Sequence, residues 1–165
     1  MPILDPYAFE FISRSTEQTR RVGIRLGSAL QAGDVVCLSG ELGAGKTTLT
    51  QGIAQGWGSL DRATSPTFVI VKYYRRANGD LMYHLDAYRL ENALEADDLD
   101  IDGMISTGPF VAEWAERIEE ALPEERVWIE LAWLGDEQRS IVIKPKGERY
   151  TAIVNDLKKE MIKSF

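Results

Sequence analysis

Helix and strand signals alternate along this chain, and the fold they predict is α/β: one mixed parallel/antiparallel sheet flanked by helices. Three observations carry that expectation. Val35-Val36-Cys37-Leu38 is a short, unbroken apolar run, the pattern of a strand buried on both faces of a parallel sheet. A glycine-rich loop and a helical stretch follow it directly, giving a strand–loop–helix unit. Asn78-Gly79 separates two strand-like runs and is a strong hairpin signal, which adds antiparallel strands to the sheet.

The elements can be justified in order. Phe9–Ile12 reads as a short strand. Ser15 then caps a helix to Leu30, with Val22, Leu26, Ala29 and Leu30 on one face. Gly33-Asp34 turns into the Val35–Leu38 strand, and the next helix runs from Lys46 to Trp57. Phe68–Tyr74, rich in β-branched and aromatic residues, is a strand, and Leu81–Leu85 returns from the hairpin. Residues 91–107 read as short acidic helices. Phe110-Val111-Ala112 is a strand ending at Glu113-Trp114, and Glu116–Leu122 is a helix stopped by Pro123. Arg126–Trp133 and Ser140–Lys144 are two late strands about a turn at Gly135-Asp136, and a last helix covers Thr151 to Lys163. The four tryptophans, Trp57, Trp114, Trp128 and Trp133, are core residues by default, and Trp114 is equally an aromatic wall for a ligand.

At 165 residues, 44% hydrophobic and 27% charged, the chain has the make-up of one globular domain, residues 1–165. No repeat, low-complexity tract or linker divides it. The net charge of −7 argues against a dedicated nucleic-acid binder, DNA included, because phosphate binding needs a basic footprint. The charge is uneven: residues 1–80 carry 9 basic and 7 acidic residues, residues 81–165 carry 10 and 19. Between Glu91 and Glu125 there are 12 acids and one Arg, which reads first as a solvated face and second as a patch toward a basic partner. The single cysteine, Cys37, forms no internal disulfide and sits in an apolar run, so it reads as a buried thiol. The first ten residues lack the apolar stretch of a signal peptide, and no segment has the ~20 apolar residues of a membrane span. A soluble cytoplasmic protein is expected.

Gly40-Glu41-Leu42-Gly43-Ala44-Gly45-Lys46-Thr47 fits G-x-x-x-x-G-K-[ST] without a gap. Roughly 0.005 such matches are expected by chance in a chain this long, given ordinary residue usage. The pattern has a physical reason. Gly43 and Gly45 let the backbone bend so that its N–H groups converge on phosphates. The helix beginning at Lys46 points its positive end at the same place. Lys46 reaches the β- and γ-phosphates, and the Thr47 hydroxyl goes to Mg²⁺. The fold class narrows to a P-loop NTPase-like domain, with ATP and Mg²⁺ as expected ligands.

Such a loop needs a carboxylate at a neighbouring strand end. Leu81–Asp86 and Phe110–Glu113 are apolar runs that each end in an acid, at the strand ends where α/β proteins place ligands. Chemistry alone does not decide which of Asp86 and Glu113 takes the metal and which orients water. Ser65-Pro66-Thr67 lies where a nucleotide-sensing loop would lie. His84, the single histidine, reads as a satisfied structural residue. One Cys and one His exclude a Cys/His metal site.

Four motifs then occur in order: GELGAGKTT at Gly40–Thr48, SPTF at Ser65–Phe68, HLDAYR at His84–Arg89, and Glu113-Trp114. Together they resemble the TsaE (YjeE) family of small bacterial P-loop ATPases, from about Ser15 to Ile143. The resemblance implies an ATP- and Mg²⁺-binding accessory protein in the synthesis of N6-threonylcarbamoyladenosine on tRNA. Such a protein does not transfer the group itself. It acts with TsaD and TsaB homologues, meets tRNA indirectly through that complex, and touches no membrane. Carried over by position, Leu42, Gly43, Ala44, Gly45, Lys46 and Thr47 cradle the phosphates, with Thr48 beside them. Thr47 and Glu113 coordinate Mg²⁺, and Asp86 serves hydrolysis. Trp114 lies by the nucleotide, Thr16 belongs to the segment that reaches the base, and Arg139 approaches the nucleotide from the late hairpin. Ala115 departs from members with Pro there, and the last ~20 residues match nothing in the family. A small-molecule kinase would share the loop but needs an acceptor pocket, and here the chain goes from the loop's helix to a hairpin. A non-catalytic, nucleotide-gated module shares every residue and differs only in turnover.

Overall fold

The computed structural model describes residues 6–64 and 70–164. Seven strands form one sheet: β1 (Phe9–Ser13), β2 (Val35–Ser39), β3 (Val71–Arg75), β4 (Leu81–Asp86), β5 (Phe110–Glu113), β6 (Arg126–Gly135) and β7 (Gln138–Lys146). Their order across the sheet is β1-β7-β6-β2-β5-β4-β3. The centre is parallel: β2 pairs with β5 and β6, and β4 pairs with β5. Both margins are antiparallel, β1–β7–β6 on one side and β3–β4 on the other. The expected mixed sheet is what forms, and the Asn78-Gly79 turn closes the β3–β4 hairpin.

The unbroken apolar run of β2 has a direct structural reason. Val36 and Leu38 enter one core, Val35 and Cys37 the other, and all four are fully buried. The first core lies under α1 (Thr16–Ser28), α2 (Lys46–Trp57) and α5 (Glu148–Ser164), through residues such as Leu26, Ile53 and Leu157. The second lies under α3 (Ala93–Asp97), α4 (Ile101–Thr107) and two 3-10 turns, through Ala96, Ile101, Ile118 and Leu122. Cys37 is the expected buried thiol, its pKa pushed up to about 12 by burial.

Ser15 caps α1 by accepting from the Gln18 N–H at 3.1 Å. The helix ends at Ser28, before the expected Leu30, and Ala29 faces solvent instead of the core. Gly23 and Gly27 of α1 meet Gly52 and Gly56 of α2, with the helix backbones in contact. A Cβ on any of the four would fall within 3.0 Å of backbone atoms of the facing helix.

Three further expectations are corrected. Ala115–Arg117 and Glu119–Ala121 are 3-10 turns, not one helix over Glu116–Leu122. Glu116, Glu119 and Glu120 would stack like charges at i+3 and i+4 in an α-helix, while Ile118 and Leu122 are buried in any case. The last helix starts at Glu148, three residues early. Trp133 is 63% exposed, not core, its indole N–H donating to the Asp136 carbonyl at 3.0 Å. Trp57 is buried, and Trp114 and Trp128 are half-buried. The expected Phe68–Tyr74 strand is seen from Val71 onward, and Phe68 and Val69 lie outside the described residues. Among the described residues no helix is long and apolar enough to cross a membrane.

Candidate functional site

The glycine loop leaves the carboxyl end of β2 and enters α2 at Lys46. Gly40, Gly43 and Gly45 take φ values of 144°, 80° and 104°, a region that a side chain strains. A Cβ at Gly40 would also overlap the Leu131 carbonyl. Gly45 caps α2 with no side chain, so the first N–H groups of the helix are left for a ligand. Leu42 stands at the loop tip, 76% exposed, and Ala44 is buried beneath it. Thr47 and Thr48 are half-buried in the first turn of α2.

Lys46 is buried, and burial lowers its pKa. Its ammonium donates back to the carbonyls of Gly40 and Glu41, the latter at 2.8 Å, and lies 4.3 Å from the centre of the Trp114 ring.

Asp86 and Glu113 end adjacent parallel strands as direct register partners. Burial raises the Asp86 pKa and the neighbouring Glu113 raises it further, against a backbone N–H from Tyr88 at 2.9 Å that lowers it. Glu113 is buried, and its Oε2 lies 2.5 Å from His84 Nε2. Trp114 follows in the left-handed region, φ 57° and ψ 39°, a conformation worth about 1–3 kcal/mol of strain in a non-glycine residue. That turn lays the indole against Lys46 on one side and the Tyr88 ring, 5.0 Å away, on the other. The Arg117 guanidinium sits over Tyr88 at 5.3 Å and over Trp114 at 5.7 Å.

On the far side of the loop, the Arg139 side chain lies 3.7 Å from where a Gly45 Cβ would stand. Its Nη1 donates to the carbonyls of Asp136 and Gln138, while its Nε is buried with no hydrogen-bond partner. An orphaned donor beside a phosphate-type loop fits a ligand that brings acceptor atoms. Thr16 donates to Glu137 at 2.8 Å, which ties the start of α1 to the same turn.

The fold therefore brings Lys46, Asp86, Glu113 and Trp114 together on one side of the loop, and Arg139 and Thr16 to the other. Ser65-Pro66-Thr67 lies outside the described residues. Among the described residues no cluster of three His, Cys, Asp or Glu side chains could cage a metal. Mg²⁺ does not require one, since it is held by one or two protein oxygens plus substrate phosphates. A threonine hydroxyl in the first turn of α2 and a carboxylate at the next strand's end fit that chemistry. Sequence reasoning missed Tyr88 and Arg117 against Trp114, and missed that His84 is hydrogen-bonded to Glu113. Tyr88 carried a signal, two residues past Asp86 in the same loop. Arg117 and the His84 contact depend on the left-handed turn and on strand register.

The family model for threonylcarbamoyl adenosine biosynthesis protein TsaE matches residues 13–141. The tRNA threonylcarbamoyladenosine biosynthesis protein TsaE of Streptomyces coelicolor is 44% identical over 137 residues, 79% of this chain and 93% of that protein. Its namesake from Bacillus subtilis is 41% identical over 143 residues, 86% of this chain and 88% of that one. The crystal structure of Bacillus subtilis YdiB superposes with a TM-score of 0.76 at 34% identity, covering 93% of this chain and 95% of that one.

Proposed function

The chain belongs to the TsaE family, and from that premise we propose that it is a Mg²⁺-dependent ATPase of the tRNA threonylcarbamoyladenosine pathway. It works in the cytoplasm with TsaD and TsaB homologues and does not transfer the group itself. The observation that carries the reading is the state of Lys46. A buried ammonium beside two strand-end carboxylates is held by the carbonyls of its own loop, poised to exchange them for phosphate oxygens.

In the proposed reaction the backbone of Leu42–Thr47 and the open end of α2 receive the phosphates. Lys46 offsets charge that grows on the γ-phosphoryl oxygens. Thr47 and Glu113 would hold Mg²⁺, which when bound neutralises phosphate charge. Asp86 orients and deprotonates the attacking water, and burial raises its proton affinity above that of a free carboxylate. Trp114 limits the space open to Lys46 and the nucleotide. Arg139 supplies its unpaired Nε, and Thr16 lies where the base is expected. The motif contains no arginine finger, so turnover alone is slow. A partner that completes the site can add ~10³-fold or more.

The test is ATP turnover by the purified protein, alone and with a TsaD–TsaB pair, with Lys46→Ala as the blank. Stimulation by the pair that disappears in the blank is the expected result. Tight nucleotide binding without stimulated turnover would replace this reading with a nucleotide-gated module.

A further inference from the structure

A line of buried polar groups crosses three strands behind the site. Tyr74 of β3, His84 of β4 and Glu113 of β5 are all buried, and His84 is fully so. Tyr74 Oη lies 2.8 Å from His84 Nδ1, and His84 Nε2 lies 2.5 Å from Glu113 Oε2. The Tyr74 and His84 rings are 5.9 Å apart, and Tyr74 Oη is 3.4 Å from the Thr64 carbonyl.

The donor inventory fixes a direction along this line. An ionised carboxylate only accepts, so His84 Nε2 carries the proton given to Glu113. In a neutral ring Nδ1 is then an acceptor, and the Tyr74 hydroxyl must donate to it. The hydroxyl has one proton, and the 2.8 Å contact is the better bond than the 3.4 Å one. Tyr74 thereby sets the tautomer and ring angle of His84, and His84 holds one oxygen of Glu113. The bond from His84 goes to Oε2 of Glu113 and not to Oε1. Ligating groups are commonly oriented through such outer partners, whose loss weakens metal binding by about 10–100-fold.

We infer that His84, oriented by Tyr74, is a positioning residue that presents the Glu113 carboxylate to the divalent cation accompanying the nucleotide. The inference rests on the proposed role of Glu113 as metal ligand. A residue that merely filled the core would affect folding stability and not the metal's contribution to nucleotide binding.

Titration of the full chain with a fluorescent ADP analogue, in Mg²⁺ and in EDTA, tests this, with a thermal melt of each variant. The gain in affinity from Mg²⁺ is the quantity of interest. His84→Asn places its amide near the Nδ1 position and cannot reach Glu113, and it should lose about tenfold or more of that gain. His84→Gln places an N–H near the Nε2 position and should keep most of it. Tyr74→Phe, which keeps the ring and the packing, should lose about threefold, the worth of one net hydrogen bond. Affinity in EDTA should stay at the wild-type level in all three. If His84→Asn does not fold, the Tyr74→Phe result decides. A wild-type Mg²⁺ gain in His84→Asn and Tyr74→Phe, or equal losses in the Asn and Gln variants, overturns the inference and leaves the proposed function standing. A wild-type protein that binds the analogue equally with and without Mg²⁺ removes the metal role of Glu113 and the inference with it. A wild-type protein that binds no analogue at all removes the proposed function itself.

Discussion

Asp86 sits where its charge is disfavoured, half-buried at a strand end beside a second carboxylate. Its folded pKa is raised above the ordinary value of 3.8 by burial first and Glu113 later. The sign follows by linkage: its contribution is fully present below the unfolded pKa and is lost as pH rises through the raised folded value. Wherever Asp86 is ionised, its charge therefore destabilises the ligand-free fold. Asp86→Asn keeps an oxygen for the Tyr88 N–H and removes the charge. It should melt higher than wild type in Mg²⁺-free buffer at pH 7, with the difference shrinking toward pH 4, and ATP turnover should fall at least 10²-fold. A variant that melts lower at pH 7 contradicts this. The placement of Lys46, Asp86 and Glu113 was legible in the sequence because Asp86 and Glu113 end apolar strands and Lys46 opens the helix that the glycine loop enters. The left-handed turn at Trp114 was not, because nothing local selects φ 57° for a tryptophan. The exposure of Trp133 was hidden for the same kind of reason. Its neighbours read as strand, and strand they are, but β6 is exposed from Ala132 through Leu134 and meets no core there.

The helices closest to the loop depend on four glycines. Gly23 and Gly27 face Gly52 and Gly56, and each lets the opposing backbone approach closer than a methyl group permits. Helix propensity alone says that alanine should stabilise any of these positions by about 1 kcal/mol. Packing says the opposite, since the obstructing atoms are backbone and cannot swing away. Gly27→Ala and Gly56→Ala should each cost about 2–3 kcal/mol, the upper range for overpacking. That lowers Tm by roughly 5–10 °C for a domain of this size. A neutral or raised Tm in both would mean that α1 and α2 can separate without loss. The helix from about Lys46 to Trp57 was legible from sequence, whereas this interface was not. Two glycines four residues apart are visible in each helix, but only the packed pair shows that they face each other. The segment after Trp114 misled for a converse reason: its apolar spacing suits a helix, and its carboxylates oppose one.

Every described strand belongs to one sheet, and β2 contributes to both cores before opening into the glycine loop. Helix α5, which lies wholly beyond the residues matched by the family model, is part of the same unit. Arg149 Nε donates to buried Asp34 at 2.6 Å, and the Tyr150 hydroxyl accepts from the Val35 N–H at 2.9 Å, so α5 is fastened to the start of β2. That fastening was illegible from sequence, since it joins residues more than a hundred positions apart. With the two cores sharing one strand, neither can unfold while the other keeps its sheet. A ligand on the glycine loop should therefore stabilise the whole sheet, not the loop alone. A nucleotide at 100 times its Kd adds about 2.7 kcal/mol if it binds only the folded state, or roughly 5–10 °C in Tm. Mg·ADP should raise Tm by that amount in a single transition, the same by tryptophan fluorescence and by far-UV circular dichroism, and should leave Lys46→Ala unmoved. Trp57 and Trp114 report from opposite cores, so a fluorescence transition that shifts apart from the dichroism would show the two faces unfolding separately and would break the coupling through β2.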